Sequence, residues 1–191
     1  MKTFHLILTL SFLFFIAHVL SSSSEPRVYT PDNVISYIET ARQERHPKDA
    51  HLPPYWISPA VKFRIAQNDF PSAAIVAICE GEKVAITVLC YCVFGGQTLD
   101  ALKTDDAEII RQLLAKIDNV DQIDQVGNTL LHYAAFSGRS DVAEILLHRN
   151  CDVNRINNMG ETPLMLADEN DHAVVAGLIR EKINSVHNSA N

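Results

Sequence analysis

The first half of the chain combines helical apolar spacing with proline-containing helix starts. The segment 30–32 (Thr-Pro-Asp) is typical of a helix beginning, since threonine caps free amides, proline fits the first turn and aspartate favours the positive end. The apolar positions that follow it on one helical face are Val34, Ile35, Ile38 and Ala41. The segments 58–59 (Ser-Pro) and 70–72 (Phe-Pro-Ser) predict two further helices, of which the second is expected to run through Ile78.

The run from Val84 to Phe94 is apolar throughout, so its periodicity fits a buried helix and a buried strand equally well. Its β-branched residues favour a strand, whereas its helical neighbours favour a helix, and we predict a helix. Gly95 and Gly96 end this run. Residues 26–95 are therefore expected to form a helical region.

The second half repeats itself with a period of 33 residues. The repeated pairs are Gly127 and Gly160, Thr129 and Thr162, Leu131 and Leu164, Ala134 and Ala167, Val142 and Val175, and Leu146 and Ile179. A fixed period of this length indicates a stack of supersecondary units, and such stacks mostly bind other proteins.

Residues 124–135 (DQVGNTLLHYAA) resemble the ankyrin signature D-x-x-G-x-T-P-L-H-x-A-A, and residues 157–168 (NNMGETPLMLAD) form a second copy. Each copy begins with a turn in which glycine reaches positive φ, followed by a threonine that caps a short helix. Pro163 stands where a helix tolerates proline. The resemblance implies that His132 bonds the backbone of a neighbouring repeat, so we interpret it as structural rather than catalytic.

The resemblance also accounts for residues between and after the helices. The family needs a left-handed residue between the two helices of a repeat, which Gly138 supplies in one copy and Asp171 in the other. Asn150 replaces glycine at a helix end, and Cys151 replaces alanine at a small buried position. Cys151 is therefore expected to be a packed thiol.

One period earlier lies a worn copy without the glycine–threonine turn. Its matches to the first good copy are Ala101, Asp105, Ile109, Leu113, Leu114, Val120 and Asp121. The resemblance is specific for residues 124–180, moderate for 96–121 and absent for 26–95. We predict an all-α fold, a short ankyrin-type helical repeat stack with an N-terminal helical extension. The expected units are a signal peptide (1–24), an extension or cap (26–95), a degenerate repeat (96–123), two repeats (124–156 and 157–186, the second a polar C-terminal cap) and a tail (187–191).

Ankyrin-like stacks bind partners through turn tips and the inner helix face. Carried over to this chain, the expected protein-binding positions are Gln125, Val126, Asn128, Tyr133, Phe136, Asn158, Met159, Glu161, Leu166 and Glu169. The apolar members of this set would form a strip with acidic residues at one edge. The alternative is that Tyr133 and Phe136 pack on the N-terminal extension, because a short stack must hide much of its surface.

Charge narrows the class of partner. The chain has 16 Lys and Arg against 23 Asp and Glu, a net charge of −7, and no basic run. Electrostatic attraction to nucleic acid or to anionic lipid is therefore not expected. We expect a protein partner, a monomer, no cofactor and no metal, since Cys90-x-Cys92 is a weak metal pattern without a second pair of ligands.

The N-terminus has the pattern of a secretory signal peptide. Lys2 precedes an apolar run over residues 6–20, and four serines (21–24) follow it. We expect cleavage among the serines, a secreted or periplasmic protein, and no membrane contact afterwards. The alternative is a membrane-anchored scaffold held by residues 6–20.

The four cysteines, Cys79, Cys90, Cys92 and Cys151, invite a disulfide interpretation in an exported protein. Three of them lie inside apolar runs, where free cysteine behaves as a small hydrophobe, so packed thiols are favoured over a bridge. The leading hypothesis is a non-catalytic protein–protein interaction module. The alternative is an enzyme with its active site in residues 26–95, where Cys90 or Cys92 would act with His46 or His51.

Overall fold

The structure is a computed structural model, and it describes residues 30–45, 57–94 and 106–189. These residues form nine α-helices and contain no strand, so the predicted all-α fold is confirmed. In chain order the helices are α1 (Pro31–Arg45), α2 (Pro59–Ala66), α3 (Phe70–Glu80), α4 (Lys83–Phe94), α5 (Asp106–Ala115), α6 (Leu130–Phe136), α7 (Ser140–His148), α8 (Pro163–Glu169) and α9 (Ala173–Ser189).

The N-terminal helices begin where the sequence predicts. Ser58 Oγ accepts a hydrogen bond from the Val61 amide (3.1 Å) at the start of α2, and Asp69 Oδ1 accepts one from the Ser72 amide (3.1 Å) at the start of α3. Both caps satisfy amides that a helix leaves free. α3 ends at Glu80, slightly beyond the predicted Ile78, because Gly81 adopts φ 73° and closes the helix.

The apolar run that fits either a helix or a strand is the helix α4. It packs against α1 and α3, so its side chains meet helical neighbours on two sides. Ala85, Val88, Leu89 and Cys90 are buried. The β-branched residues of this run are therefore helical, because burial between helices outweighs their weak local preference for a strand.

The C-terminal half is a stack of helix pairs. α6 pairs with α7, and α8 pairs with α9. The inner helices α6 and α8 contact each other, as do the outer helices α7 and α9, which confirms the predicted helical repeat stack. α9 continues to Ser189, so residues 187–189 of the predicted tail extend this helix.

A third layer joins this stack to the N-terminal helices. α5 contacts α7 and so extends the outer row, while α3 contacts α6 and extends the inner row. α3 and α5 also contact each other, although α4 lies between them in the sequence. The predicted degenerate repeat is described only in part, since residues 95–105, with Ala101 and Asp105, lie outside the described residues. Its buried positions Ile109, Leu113, Leu114 and Val120 do belong to the core.

One continuous core runs through both halves, and it includes residues of α1 to α9. α3 is the centre of the junction, because every residue from Ser72 to Cys79 is buried. In the part of the chain that the structure describes, we find no helix that combines the length and the apolar character needed to cross a membrane.

Candidate functional site

Each repeat begins with the same tight turn. Asp124 Oδ1 accepts hydrogen bonds from the Val126 and Asn128 amides, both at 2.9 Å. Asn157 Oδ1 does the same for Met159 (3.0 Å) and Glu161 (2.9 Å). Gly127 and Gly160 adopt φ 81° and 84°, as the sequence predicts.

The two turns are joined edge to edge. The Asn158 amide donates to Val126 O (2.9 Å), and Asn158 Nδ2 donates to Gln125 O (3.1 Å). Asn157 Nδ2 donates to Asn128 Oδ1 (3.0 Å). The turn tips of both copies therefore form one rigid edge, in which backbone groups of one repeat are satisfied by the next.

His132 links the same two repeats from inside. It is completely buried, its Nδ1 accepts from the Thr129 amide (3.1 Å), and its Nε2 lies 3.3 Å from Glu161 O. A neutral ring with its proton on Nε2 satisfies both contacts. Burial lowers the pKa of His132, which keeps the ring neutral. The expected bond to a neighbouring repeat is present, and it explains this histidine without a catalytic role.

Tyr133 is half-buried and held in place. Its hydroxyl donates to Asp124 Oδ2, so the carboxylate that closes the turn also fixes the ring. Burial, and then the hydrogen bond from the hydroxyl to the Asp124 carboxylate, raises the pKa of Tyr133 above its usual range. The ring packs against the core, in keeping with the packing alternative for this residue. Phe136 differs, because its side chain is 58% exposed.

These side chains border a groove of about 750 Å³. Its lining comes from the C-terminal ends of three neighbouring helices (α3, α6 and α8) and from the two repeat turns. The lining residues are Cys79, Glu80, Asn128, His132, Tyr133, Phe136, Ser137, Asn157, Met159, Glu161, Leu166, Glu169 and Asn170.

The structure brings most of the sequence-predicted positions into this groove. Seven of the ten line it: Asn128, Tyr133, Phe136, Met159, Glu161, Leu166 and Glu169. The other three, Gln125, Val126 and Asn158, lie at the turn tips and are exposed, but they are not among the lining residues.

Two members of the predicted apolar strip contribute little exposed surface to the groove. Val126 is exposed on the turn edge, outside the groove. Leu166 lines the groove but is only 8% exposed, because it sits on the inner face of α8 against α6. The accessible apolar surface of the groove is therefore concentrated in Phe136 and Met159, which is 69% exposed.

Cys79 and Glu80 also line the groove, although no sequence motif assigned them to a binding surface. They stand at the end of α3, outside the two copies of the signature that begin at Asp124 and Asn157. Arg139 Nη1 donates to Ile78 O (3.0 Å) and ties the end of α3 to the turn between α6 and α7. Only the packing of α3 beside α6 reveals these residues, and no local pattern pointed to them.

The groove is acidic. Its charged lining residues are Glu80, Glu161 and Glu169, and the described residues that line it include neither lysine nor arginine. Glu80 and Glu169 are exposed, whereas Glu161 Oε2 accepts a hydrogen bond from Asn157 Nδ2 (2.8 Å). Partial burial raises the pKa of Glu80. The groove thus offers exposed apolar area beside two exposed acidic residues.

The thiols that the enzyme alternative needs, Cys90 and Cys92, are poorly suited to act as catalytic nucleophiles. Burial raises the pKa of both Cys90 and Cys92 to about 12, so the reactive thiolate is scarce at neutral pH. Their proposed partners His46 and His51 lie outside the described residues. Within the described ranges, no group of three or more metal-binding side chains comes together. All four cysteines are free thiols, and three of them, including Cys151, are buried.

Comparison with known families gives a match over most of the chain. A family model for ankyrin repeats, in three copies, matches residues 60–157 and 98–189. The match begins at residue 60, so the expectation that the resemblance is absent from 26–95 is wrong for its later part. α2 and α3 form a helix pair joined by Asn68 at φ 63°, the left-handed conformation that Gly138 and Asp171 adopt between the helices of the two good copies.

Curated proteins match shorter stretches. An ankyrin repeat protein of Acanthamoeba polyphaga mimivirus is 31% identical over 81 residues, which is 42% of this chain and 11% of that protein. Neurogenic locus notch homolog protein 1 of Homo sapiens is 45% identical over 62 residues, 32% of this chain and 2% of that protein. A potassium channel of Oryza sativa subsp. japonica is 28% identical over 82 residues, 43% of this chain and 9% of the channel. The chain therefore spans about a tenth or less of the length of these relatives.

Proposed function

Because this chain belongs to the ankyrin-repeat family, we propose that it is an exported, non-catalytic protein–protein interaction module that binds its partner in the groove between the repeat turns and the ends of α3, α6 and α8. Ankyrin repeats form protein–protein interaction modules. The finer parts of the proposal are the binding surface, the export and the lack of catalysis.

The observation that carries the proposal is the exposure of Phe136 and Met159 inside a concave, otherwise well-packed surface. The two residues come from different repeats, and the hydrogen bonds between Asn158 and the first turn hold those repeats in register. Aromatic side chains and methionine are enriched where partners bind, since covering them removes large apolar areas from water. Nearby buried side chains such as Leu166 give this pair a rigid floor.

Export is supported by the N-terminal sequence, which lies outside the described residues. The free cysteines are compatible with an oxidising compartment, because burial raises the pKa of Cys79, Cys90, Cys92 and Cys151 to about 12. Protonated thiols react slowly with disulfides and oxidants, and three of these four are also buried. The same high pKa values favour a non-catalytic protein over one with a cysteine nucleophile. We propose a secreted or periplasmic monomer whose signal peptide has been cleaved.

Binding can be tested with two matched double variants. Phe136→Ala/Met159→Ala removes the exposed apolar pair of the groove, and Val174→Ala/Val186→Ala removes residues of comparable exposure on α9 (68% and 52%). Both pairs are surface residues, so both variants are expected to fold, which circular dichroism checks. We expect affinity capture from source cells to yield proteins that the first variant loses and the second retains. Equal recovery by all three proteins would show that the groove is not the binding surface.

Export is tested by the mass of the protein isolated from its source. A mature N-terminus within the serine segment 21–24 is expected. A chain that retains Met1 would instead favour the anchored scaffold, in which residues 6–20 stay in the membrane.

A further inference from the structure

We infer that the partner segment occupying the groove is cationic and places an arginine over Phe136, between the carboxylates of Glu80 and Glu169. This inference rests on the proposed function and specifies the chemistry of the partner at that same site. It follows from the acidic residues that line the groove, from the position of Phe136, and from the pairing of nearby arginines of this chain with other groups of the protein.

The helices that carry the two carboxylates flank the helix that carries the exposed aromatic ring. Phe136 ends α6, which packs between α3 and α8 in the inner row. Glu80 ends α3 and Glu169 ends α8, so the ends of three adjacent helices present an acidic, an aromatic and an acidic side chain in that order. Packed helices lie roughly 8–10 Å apart, which puts each carboxylate within reach of a long side chain placed on the ring.

Cations of the protein near this end of the groove are bound to other groups. Arg139 pairs with Asp141 (2.6 Å) and donates to Ile78 O (3.0 Å), and Arg180 pairs with Asp168 (2.7 Å). Arg64 is 2% exposed and points to Gln122 O. The Glu80 carboxylate also hydrogen-bonds the Ser58 side chain, but the ion pairs of the described residues involve neither Glu80 nor Glu169, so a cationic partner could neutralise both charges.

Arginine fits this arrangement better than lysine. Its planar guanidinium stacks on an aromatic face and still directs N–H groups sideways to carboxylates, whereas an ammonium group interacts as a point charge. An acidic segment would meet like charges here, and the net charge of −7 opposes nucleic acid. Met159, on the turn side of the groove, supplies a flexible apolar contact for a neighbouring aliphatic side chain of the same segment.

The test selects peptides from a random phage-displayed library on the full chain and counter-screens them against Phe136→Ala/Met159→Ala. Peptides that need this pair identify the groove as a binding surface. We expect these peptides to be enriched in arginine beside an aliphatic or aromatic residue. Groove-dependent peptides without basic residues would overturn the inference while leaving the proposed function intact. If no selected peptide depends on the pair, the proposed function fails, and the inference fails with it.

A selected peptide then reports on the two carboxylates. By fluorescence anisotropy at low salt, Glu80→Gln/Glu169→Gln should bind it about tenfold more weakly than the unmodified chain, and the difference should shrink as salt is added. Glu144→Gln/Glu181→Gln removes two exposed charges outside the groove and should stay within about twofold. Replacing the peptide arginine by lysine should weaken binding less than replacing it by glutamine. Equal affinity of the two double variants would contradict the inference.

Discussion

The repeat that begins at Asp124 and the repeat that begins at Asn157 share one pattern but have different surroundings. The first copy is covered on both sides, by α3 and α5 and by the second copy. The second copy closes the described stack, so several of its equivalent positions face solvent. His132 is fully buried, while Met165, one period later, is 43% exposed. The burial of a position in a stack is therefore set by its neighbours as much as by the motif that it belongs to.

The largest contrast is expected at the histidine position of the motif. His132→Ala removes the acceptor for the Thr129 amide and the bond to Glu161 O, and it leaves a cavity between the repeats. We expect the free energy of unfolding to fall by about 3 kcal/mol. Met165→Ala should cost less than about 1 kcal/mol, because the side chain is partly exposed.

Urea denaturation of both variants measures this difference. Comparable losses of stability in the two variants would mean that the burial of His132 between repeats does not determine how much it contributes to the free energy of unfolding.

The turn glycines form a second matched pair. Both adopt positive φ, so an alanine at either position costs about 1–2 kcal/mol of backbone strain. A Cβ at Gly127 would also approach the Asn158 backbone nitrogen to 3.0 Å, whereas a Cβ at Gly160 meets nothing within 4 Å. Gly127→Ala should therefore be the more damaging variant by about 1 kcal/mol or more.

Thermal unfolding of Gly127→Ala and Gly160→Ala gives this comparison directly. If Gly160→Ala proves as destabilising as Gly127→Ala, strain alone governs the turns, and the contact with Asn158 contributes nothing.

A smaller contrast is expected between Arg149 and Lys182, which lie one period apart. Arg149 donates to Leu114 O and to Ile117 O (2.8 Å), so it satisfies carbonyls at the end of α5. Lys182 donates to the Asn150 side chain (2.7 Å) at an exposed site. Arg149→Ala should lower stability by about 1–1.5 kcal/mol and Lys182→Ala by less than about 0.5 kcal/mol, as measured in urea. A larger loss of stability for Lys182→Ala than for Arg149→Ala would contradict the expectation that contacts of the first copy matter more than those of the second.

The smallest effect concerns pH. Burial lowers the pKa of His132 below its ordinary value of 6.5, so the folded protein binds this proton less readily than the unfolded chain does. The neutral ring therefore costs no stability above pH 6.5, and the free energy of unfolding should fall as the pH is lowered below that value.

Urea titrations at several pH values below about 6.5 test this dependence against His132→Gln, which cannot take up the proton. The fall should be shallower in that variant. Parallel curves for the two proteins would assign the acid sensitivity to other groups.

The repeat turns could be predicted from the sequence because their rules are local. A glycine at positive φ, a capping threonine and a left-handed residue between helices each depend on a few consecutive residues. Gly127, Gly160, Gly138, Asp171 and Asn150 all adopt the expected conformation. Even the atypical pair of α2 and α3 had a local clue in Ser58-Pro59, which resembles Thr162-Pro163 and caps its helix in the same way.

The groove was predicted in part for the same reason. Motif positions such as Phe136 and Met159 follow from the register of the repeats, so the amino-acid sequence is enough to place them. The accessibility of each position does not follow from that register, since it depends on which helix packs beside it. Leu166 and Phe136 are both large apolar residues of an inner helix, yet one is 8% and the other 58% exposed.

By itself, the sequence of this protein determined the period and the repeat turns, because these rest on short-range sterics and hydrogen bonding. Only the tertiary structure decided that α3 lies beside α6 and extends the inner row. α3 is apolar on every side, so its sequence accepts many neighbours, and its place is chosen by the total apolar area that the assembled helices bury. That choice brings Glu80 to the edge of the groove beside Phe136.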